Sequence, residues 1–272
     1  MLLLWPTSEK SFLRSAVTRS RQEFSDKIIA GAEPFFFPAG KTGCLLIHGI
    51  SGTPQAMRLM GEYLSAAGIT ALGVRLKGHA TRVEDMHLCT YQDWVTSVEE
   101  ALNQLKEHCS IVFCAGLSMG GVLSLRLAAL HPADIAGVIT ICSPYELSAF
   151  KFKLVPLLKK VIKKLASGPR STNDPLAVEI NYDYHSIPAV HELIKLTAAV
   201  RADLPSIRQP VLMFGARQDN TVDSRDINLY YEKLASSEKE IIWLENSQHV
   251  ATLDYDKEII FQKTVEFISA HQ

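Results

Sequence analysis

Residues 111–121 read Ile111-Val112-Phe113-Cys114-Ala115-Gly116-Leu117-Ser118-Met119-Gly120-Gly121. The opening run is apolar and short enough for a buried strand, and the apolar segment Met119–Leu130 behind it has helix length. Between them lies G-x-S-x-G, the pattern of a serine on a sharp strand-to-helix turn. Such a turn strains the serine backbone, so strand and helix can close on it only where Gly116 and Gly120 stay small. It also lifts Ser118 Oγ into the open at a helix N-terminus, where backbone N–H groups face developing negative charge. A turn without chemistry would use the same glycines, so the reading depends on the flanking pattern.

Working outward, apolar runs at Cys44–His48, Ile69–Val74, Gly137–Ile141, Val211–Gly215 and Ile241–Leu244 predict further buried strands. Helix-length segments at Gln55–Ala67, Tyr91–Glu107, Ser224–Leu234 and Asp256–Ser269 separate them. The alternation predicts an α/β fold, a mostly parallel, doubly wound sheet with helices on both faces. It breaks once, between Pro144 and about Ser206, where no strand signal occurs and turns fall at Gly168-Pro169 and Asp174-Pro175. That stretch is too long for a plain connection and predicts a helical cap insertion, residues 145–205, above the carboxyl ends of the strands. The core is then 33–144 together with 206–272. Residues 1–32 are polar, with five basic and three acidic side chains between 9 and 29, and predict a flexible solvated extension.

A serine needs a base, and the base needs an orienting acid. In this architecture they follow in the order Ser, Asp, His, each on a loop after a later strand. The strand Val211–Gly215 is followed by Ala216-Arg217-Gln218-Asp219, which makes Asp219 the expected acid and Asp223 its nearest competitor. The last strand leads into Glu245-Asn246-Ser247-Gln248-His249, and His249 is the only histidine in that loop. The oxyanion hole needs a second N–H beside that of Met119. The loop Leu46-Ile47-His48-Gly49-Ile50-Ser51-Gly52-Thr53-Pro54 supplies it from Ile50. His48 and His79 are assigned to loop architecture.

The chain has 272 residues, a net charge of -1 and 47% hydrophobic residues, which excludes a wholly disordered chain. No apolar run approaches the roughly 20 residues of a membrane-spanning helix, and the near-neutral charge gives no reason to expect nucleic acid. The five cysteines are odd in number and lack metal spacing, so reduced buried thiols are expected, with no metal or cofactor. Met1–Pro6 lacks a basic n-region, and a cytoplasmic location is the expectation. The charge is segregated: residues 150–170 hold six lysines, one arginine and no acid, a local +7 that leaves -8 for the rest. From Pro156, a helical period would put Leu157, Leu158, Val161, Ile162 and Leu165 on one arc and the lysines on the remainder. Such a helix either packs its apolar side over an acyl pocket or touches anionic lipid as a peripheral contact. Both readings suit an aliphatic acyl chain.

These residues carry a resemblance. Pro34-Phe35-Phe36-Phe37, Leu46-Ile47-His48-Gly49, Lys77-Gly78-His79, Ala115–Gly121, Ala216-Arg217-Gln218-Asp219 and His249-Val250-Ala251-Thr252-Leu253-Asp254 resemble stretches of the α/β-hydrolase superfamily. More narrowly, they resemble small bacterial carboxylesterases and monoacylglycerol lipases. The resemblance implies a serine hydrolase of acyl esters, with Ser118, Asp219 and His249 as triad and a small-molecule ester bearing an apolar chain as substrate. A non-catalytic binder of hydrophobic ligands on the same fold is the alternative, as is a thioesterase or acyltransferase using the same triad. Three departures stand out. The N-terminal extension has no counterpart, Ile50 stands where a bulky aromatic is common, and Gln218 and Gln248 beside the acid and base are less usual.

Overall fold

The computed structural model describes residues 24–147, 155, 159, 161–168 and 171–272. In chain order its first half runs β1 (Phe35–Phe37), β2 (Thr42–Ile47), α1 (Gln55–Ala66), β3 (Thr70–Val74), α2 (Val83–Met86), α3 (Tyr91–Lys106), β4 (Ile111–Leu117), α4 (Met119–Leu130) and β5 (Gly137–Ile141). The second half adds β6 (Lys164–Ala166), β7 (Tyr184–Ser186), α5 (Ile187–Asp203), β8 (Val211–Ala216), α6 (Asp226–Lys233), β9 (Lys239–Leu244) and α7 (Lys257–Ala270). Seven strands form one sheet in the order β1-β3-β2-β4-β5-β8-β9, parallel throughout except for the edge pair β1–β3.

Strand periodicity builds the core. In β2, Cys44 and Leu46 join the cluster under α1 and α7, while Leu45 and Ile47 face the cluster under α3 and α4. Both faces are buried, which is why the strands read as unbroken apolar runs. The expected strands and helices of the sheet all form. The antiparallel β1 is an addition. Its Phe35 ring fills space left by the missing side chains of Gly61 and Gly73. Local signals set several helix ends. Thr90 caps α3 in a reciprocal pair with Asp93, and Ser186 accepts the Ala189 N–H at the start of α5.

Residues 145–205 differ from the expectation in three ways. First, β6 and β7 pair antiparallel, with Leu165 opposite His185, where no strand was expected. Second, the amphipathic helix predicted from Pro156 does not reach Leu165. Lys159 and Val161 lie in turns and Lys164–Ala166 is a strand, while 148–154, 156–158 and 160 lie outside the described residues. The described members of the apolar arc are exposed: Val161 by 84% and Leu165 by 59%. Helical spacing of apolar residues is a weak signal when tertiary pairing offers the backbone another partner. Third, α5 packs its Leu193, Leu196 and Val200 into the core beside α4 and so covers a face of the sheet. Of the described residues, the 171–182 stretch before α5 reaches the loops at the strand ends.

The N-terminal expectation changes as well. Ser25 N–H donates to Asp85 Oδ2 at 3.0 Å and Ile29 N–H to the Ala80 carbonyl at 2.8 Å, so residues 24–32 are tied down. Residues 1–23 lie outside the described part. Among the described residues, no helix is long and apolar enough to cross a membrane.

Candidate active site

Ser118 sits between β4 and α4 with φ 54° and ψ −119°, a left-handed backbone that costs an L-residue on the order of 1 kcal/mol or more. Its N–H donates to the Ile141 carbonyl at 2.7 Å, which ties the turn to the end of β5. The glycines are sterically required. A β-carbon at Gly116 would overlap the Gly120 carbonyl, and one at Gly120 would overlap the Ile47 carbonyl. A β-carbon at Gly49 would meet Ser118 Cβ at 3.3 Å, so the loop after β2 lies directly against the serine. That loop carries Ile50, and α4 begins at Met119. Among the described residues, neither N–H is bound to another group.

Asp219 follows β8 and His249 follows β9. His249 Nδ1 lies 2.8 Å from Asp219 Oδ2, with the two side chains 9% and 2% exposed. The other carboxylate oxygen accepts the N–H groups of Thr221 and Val222 at 2.8 and 2.9 Å. The carboxylate is therefore fixed, and His249 Nδ1 serves as the donor to it, leaving Nε2 without a partner among the described residues. Asp223, the competing carboxylate, pairs outward with Arg225, whose guanidinium pulls its pKa down to about 2. Cys142, at the end of β5, has its thiol pushed far up by burial, with the Asp219 carboxylate adding to the shift. All five cysteines are free and buried.

His48 and His79 keep to loop architecture. His48 Nδ1–H donates to the Gly49 carbonyl at 2.9 Å and Nε2 accepts the Leu76 N–H at 3.3 Å. Burial drives its pKa down to about 4. His79 packs edge-on against His48, and burial depresses it likewise. No group of three or more His, Cys, Asp or Glu among the described residues is placed to hold a metal ion.

A strap of residues 171–182 crosses above these loops. Tyr182 N–H donates to the Ser51 carbonyl, Thr53 Oγ to the Ile180 carbonyl, and Val250 N–H to the Ser171 carbonyl. Gln218 and Gln248 find their reason here. Asn173 Nδ2 donates to Gln218 Oε1 at 3.0 Å, and Gln248 Nε2 donates to Asn173 Oδ1 at 2.6 Å. The acid loop and the base loop thus share one strap residue. Asp254 completes the joint by accepting the N–H groups of Asn173, Asp174 and Gln248, each at 2.8 Å. Glu179 is also on the strap, and burial raises its pKa. Sequence reasoning missed Asn173, Glu179 and the role of Asp254. Asp254 lay in a quoted stretch, whereas Asn173 and Glu179 lie in a segment without period.

Residues 39–256 match the family described as serine aminopeptidase, S33. The chain belongs to that family. A thermostable monoacylglycerol lipase of Bacillus sp. (strain H-257) is 38% identical over 246 residues, covering 90% of this chain and 97% of the relative. A carboxylesterase of Bacillus subtilis (strain 168) is 29% identical over 241 residues, covering 87% and 96%. Among solved structures, one from a study of two metagenome-derived lipolytic enzymes, LipS and LipT, superposes with a TM-score of 0.87 at 33% identity. It covers 90% of this chain and 100% of the other. The family member described here is an ester hydrolase of the α/β-hydrolase fold.

Proposed function

We propose that this hydrolase cleaves monoacyl esters of a small polar alcohol through an acyl-enzyme on Ser118. The observation that carries the reading is the 2.8 Å contact of His249 with a buried, doubly braced Asp219, taken together with the strained backbone of Ser118 at the strand-to-helix turn. In this scheme Ser118 Oγ attacks the ester carbonyl carbon while His249 Nε2 takes its proton. Asp219 holds the Nδ1–H and stabilises the imidazolium. The N–H groups of Ile50 and Met119 receive the oxyanion. His249 then returns the proton to the leaving alcohol, and water repeats the sequence on the acyl-enzyme to release the acid. Every step uses groups of the chain and water.

Two observations support the substrate class. The Bacillus relative at 38% identity is named a monoacylglycerol lipase. Glu179, on the strap and held by Asn181 Nδ2 at 3.1 Å, offers a hydrogen-bond partner to an alcohol with free hydroxyl groups. The domain division follows as part of the same proposal: 33–144 with 206–272 as catalytic core, and the segment before α5 as cap.

Replacing Ser118 with Ala is expected to lower kcat by several orders of magnitude at unchanged thermal stability. Stoichiometric labelling of the parent, but not of Ser118→Ala, by an organophosphonate is the direct check. Turnover of the variant comparable to the parent would overturn the assignment. The family description names a peptidase, so an aminoacyl p-nitroanilide belongs beside the monoacylglycerol in the substrate series. Faster cleavage of the anilide would move the reading from esters to amides.

A further inference from the structure

Asp254 is fully buried, yet no step of the proposed reaction uses it. Burying a carboxylate is unfavourable unless donors fill its oxygens. Here Oδ2 accepts the N–H groups of Asn173 and Gln248, each at 2.8 Å. Oδ1 accepts those of Asp174 and Tyr255 at 2.8 and 2.9 Å. The four donors come from three places: the strap, the loop that carries His249, and the turn of Asp254 itself. A side-chain amide could not replace the carboxylate, because it has one acceptor oxygen and would turn its NH2 group toward two of the donors. The charge of Asp254 therefore joins two segments 75 positions apart.

The joint reaches His249 from both sides. The Gln248 N–H held by Asp254 lies one residue before it, and the Val250 N–H, one residue after it, donates to the Ser171 carbonyl of the strap at 2.9 Å. Asn173, seated on Asp254 by its backbone, gives its side chain to both loops. Its Nδ2 donates to Gln218 Oε1 at 3.0 Å and to the Asn246 carbonyl at 2.8 Å, while Oδ1 accepts Gln248 Nε2. Gln218 Nε2 also donates to the Glu245 carbonyl at 2.7 Å, and Asn220 Nδ2 donates to Gln248 Oε1 at 2.5 Å. Both neighbours of Asp219 are thus tied to the base loop. The other end of the strap is moored as well. Gln55 donates to the Val178 carbonyl at 2.8 Å and accepts the Ile180 N–H at 3.1 Å. Tyr182 Oη accepts the Thr81 N–H at 3.1 Å and donates to the Gly78 carbonyl at 3.2 Å. A segment held at both ends by the elements it spans is a brace.

We propose that Asp254 is a positioning residue for the reaction and that, with Asn173, it sets the separation of the acid loop from the base loop. The inference rests on the proposed triad of Ser118, Asp219 and His249. Asp254 touches no reacting atom. It acts through the backbone of Gln248 and the side chain of Asn173, which hold two loops from different strands in the register that the contact of Asp219 with His249 requires. A misplacement of about 1 Å in such a constellation lowers the rate on the order of a hundredfold.

The test uses the full chain and a short water-soluble p-nitrophenyl ester, with active sites counted by organophosphonate labelling run to completion. Asp254→Asn is expected to lower kcat per labelled site roughly 30- to 100-fold, while KM moves less than about threefold. Asp85→Asn is the control. Asp85 is equally buried but holds Ser25, Thr81 and Arg82, none of them in the acid or base loop. Its loss should lower thermal stability and leave kcat per site unchanged. Adding Asn173→Ala to Asp254→Asn should lower kcat no further, since both act through one joint. Parent-like kcat per site in Asp254→Asn, a loss confined to KM, an equal fall in Asp85→Asn, or losses that multiply in the double variant would each overturn the proposal. If Asp254→Asn does not fold, Asn173→Ala decides alone: a loss of about threefold or more supports the brace, and a smaller one overturns it. An unlabelled parent would remove the serine-hydrolase reading itself. A labelled parent with a parent-like Asp254→Asn removes only the brace.

Discussion

Two buried histidines close two loops of the same sheet edge, one after β2 and one after β9, and they differ in what their ring nitrogens touch. His48 spends both nitrogens on backbone, on the Gly49 carbonyl and the Leu76 N–H, and burial, with Arg75 adding to it, lowers its pKa to about 4. His249 spends one nitrogen on a buried carboxylate, and the other has no partner among the described residues. A ring held by backbone at both ends is a strut. A ring held at one end by a negative charge can accept a proton and be stabilised once it has it. The same side chain at the same depth thus takes two jobs, decided by the partner.

The sharpest way to break this contrast is to exchange the losses. His249→Ala is expected to lower kcat/KM about 10⁴-fold or more, whereas His48→Asn should leave a measurable enzyme whose main defect is stability. Comparable losses of turnover at equal folded fraction would erase the distinction. Next in size, Asp219→Asn should lower kcat about 10⁴-fold by removing the charge that fixes the tautomer, while Asp223→Asn stays within about twofold. Steady-state kinetics on a soluble ester decides both, and a large effect at 223 would return the competing carboxylate to play.

The contrast also has a pH signature. His48 ordinarily titrates at 6.5 and in the fold at about 4, so between these values the unfolded chain holds the extra proton. Stability is then full above pH 6.5 and is lost as pH falls toward 4, by about 3 kcal/mol when complete. His79, depressed in the same direction, adds to the slope. Chemical denaturation across this window should show a shallower acid loss in His48→Asn than in the parent, and parallel curves would count against the assignment. The smallest expected effect concerns the strap. Asn173→Ala removes the joint between Gln218 and Gln248 and should cost about three- to tenfold in kcat, with circular dichroism unchanged.

Legibility from sequence divides along the same line as burial. The strands β2, β4, β5, β8 and β9 announce themselves because both faces of a parallel sheet are covered, so the requirement for apolar residues is local and continuous. Ser118, Asp219 and His249 are singled out as candidates for a related reason: each follows an identifiable strand, and topology constrains the rest. The described end of the basic segment departs from its pattern: its apolar spacing suits a helix while Lys164–Ala166 pair with β7, an interaction between residues about twenty positions apart. Gln218 and Gln248 looked like departures beside the acid and base. Their reason is Asn173, more than forty positions away from either, and nothing in their neighbourhood announces it.

By itself, then, the sequence determined the sheet, its order of motifs and the three side chains proposed to react, since these follow from periodicity and from small residues that a tight turn demands. It also determined that charge is divided between the 150–170 run and the rest. Only the tertiary structure decided which carboxylate reaches His249, which histidine is a strut, and that α5 belongs to the core. It alone showed that Val161 and Leu165 face outward. Those decisions rest on distances between segments remote in the chain, which local patterns of hydrophobicity do not encode.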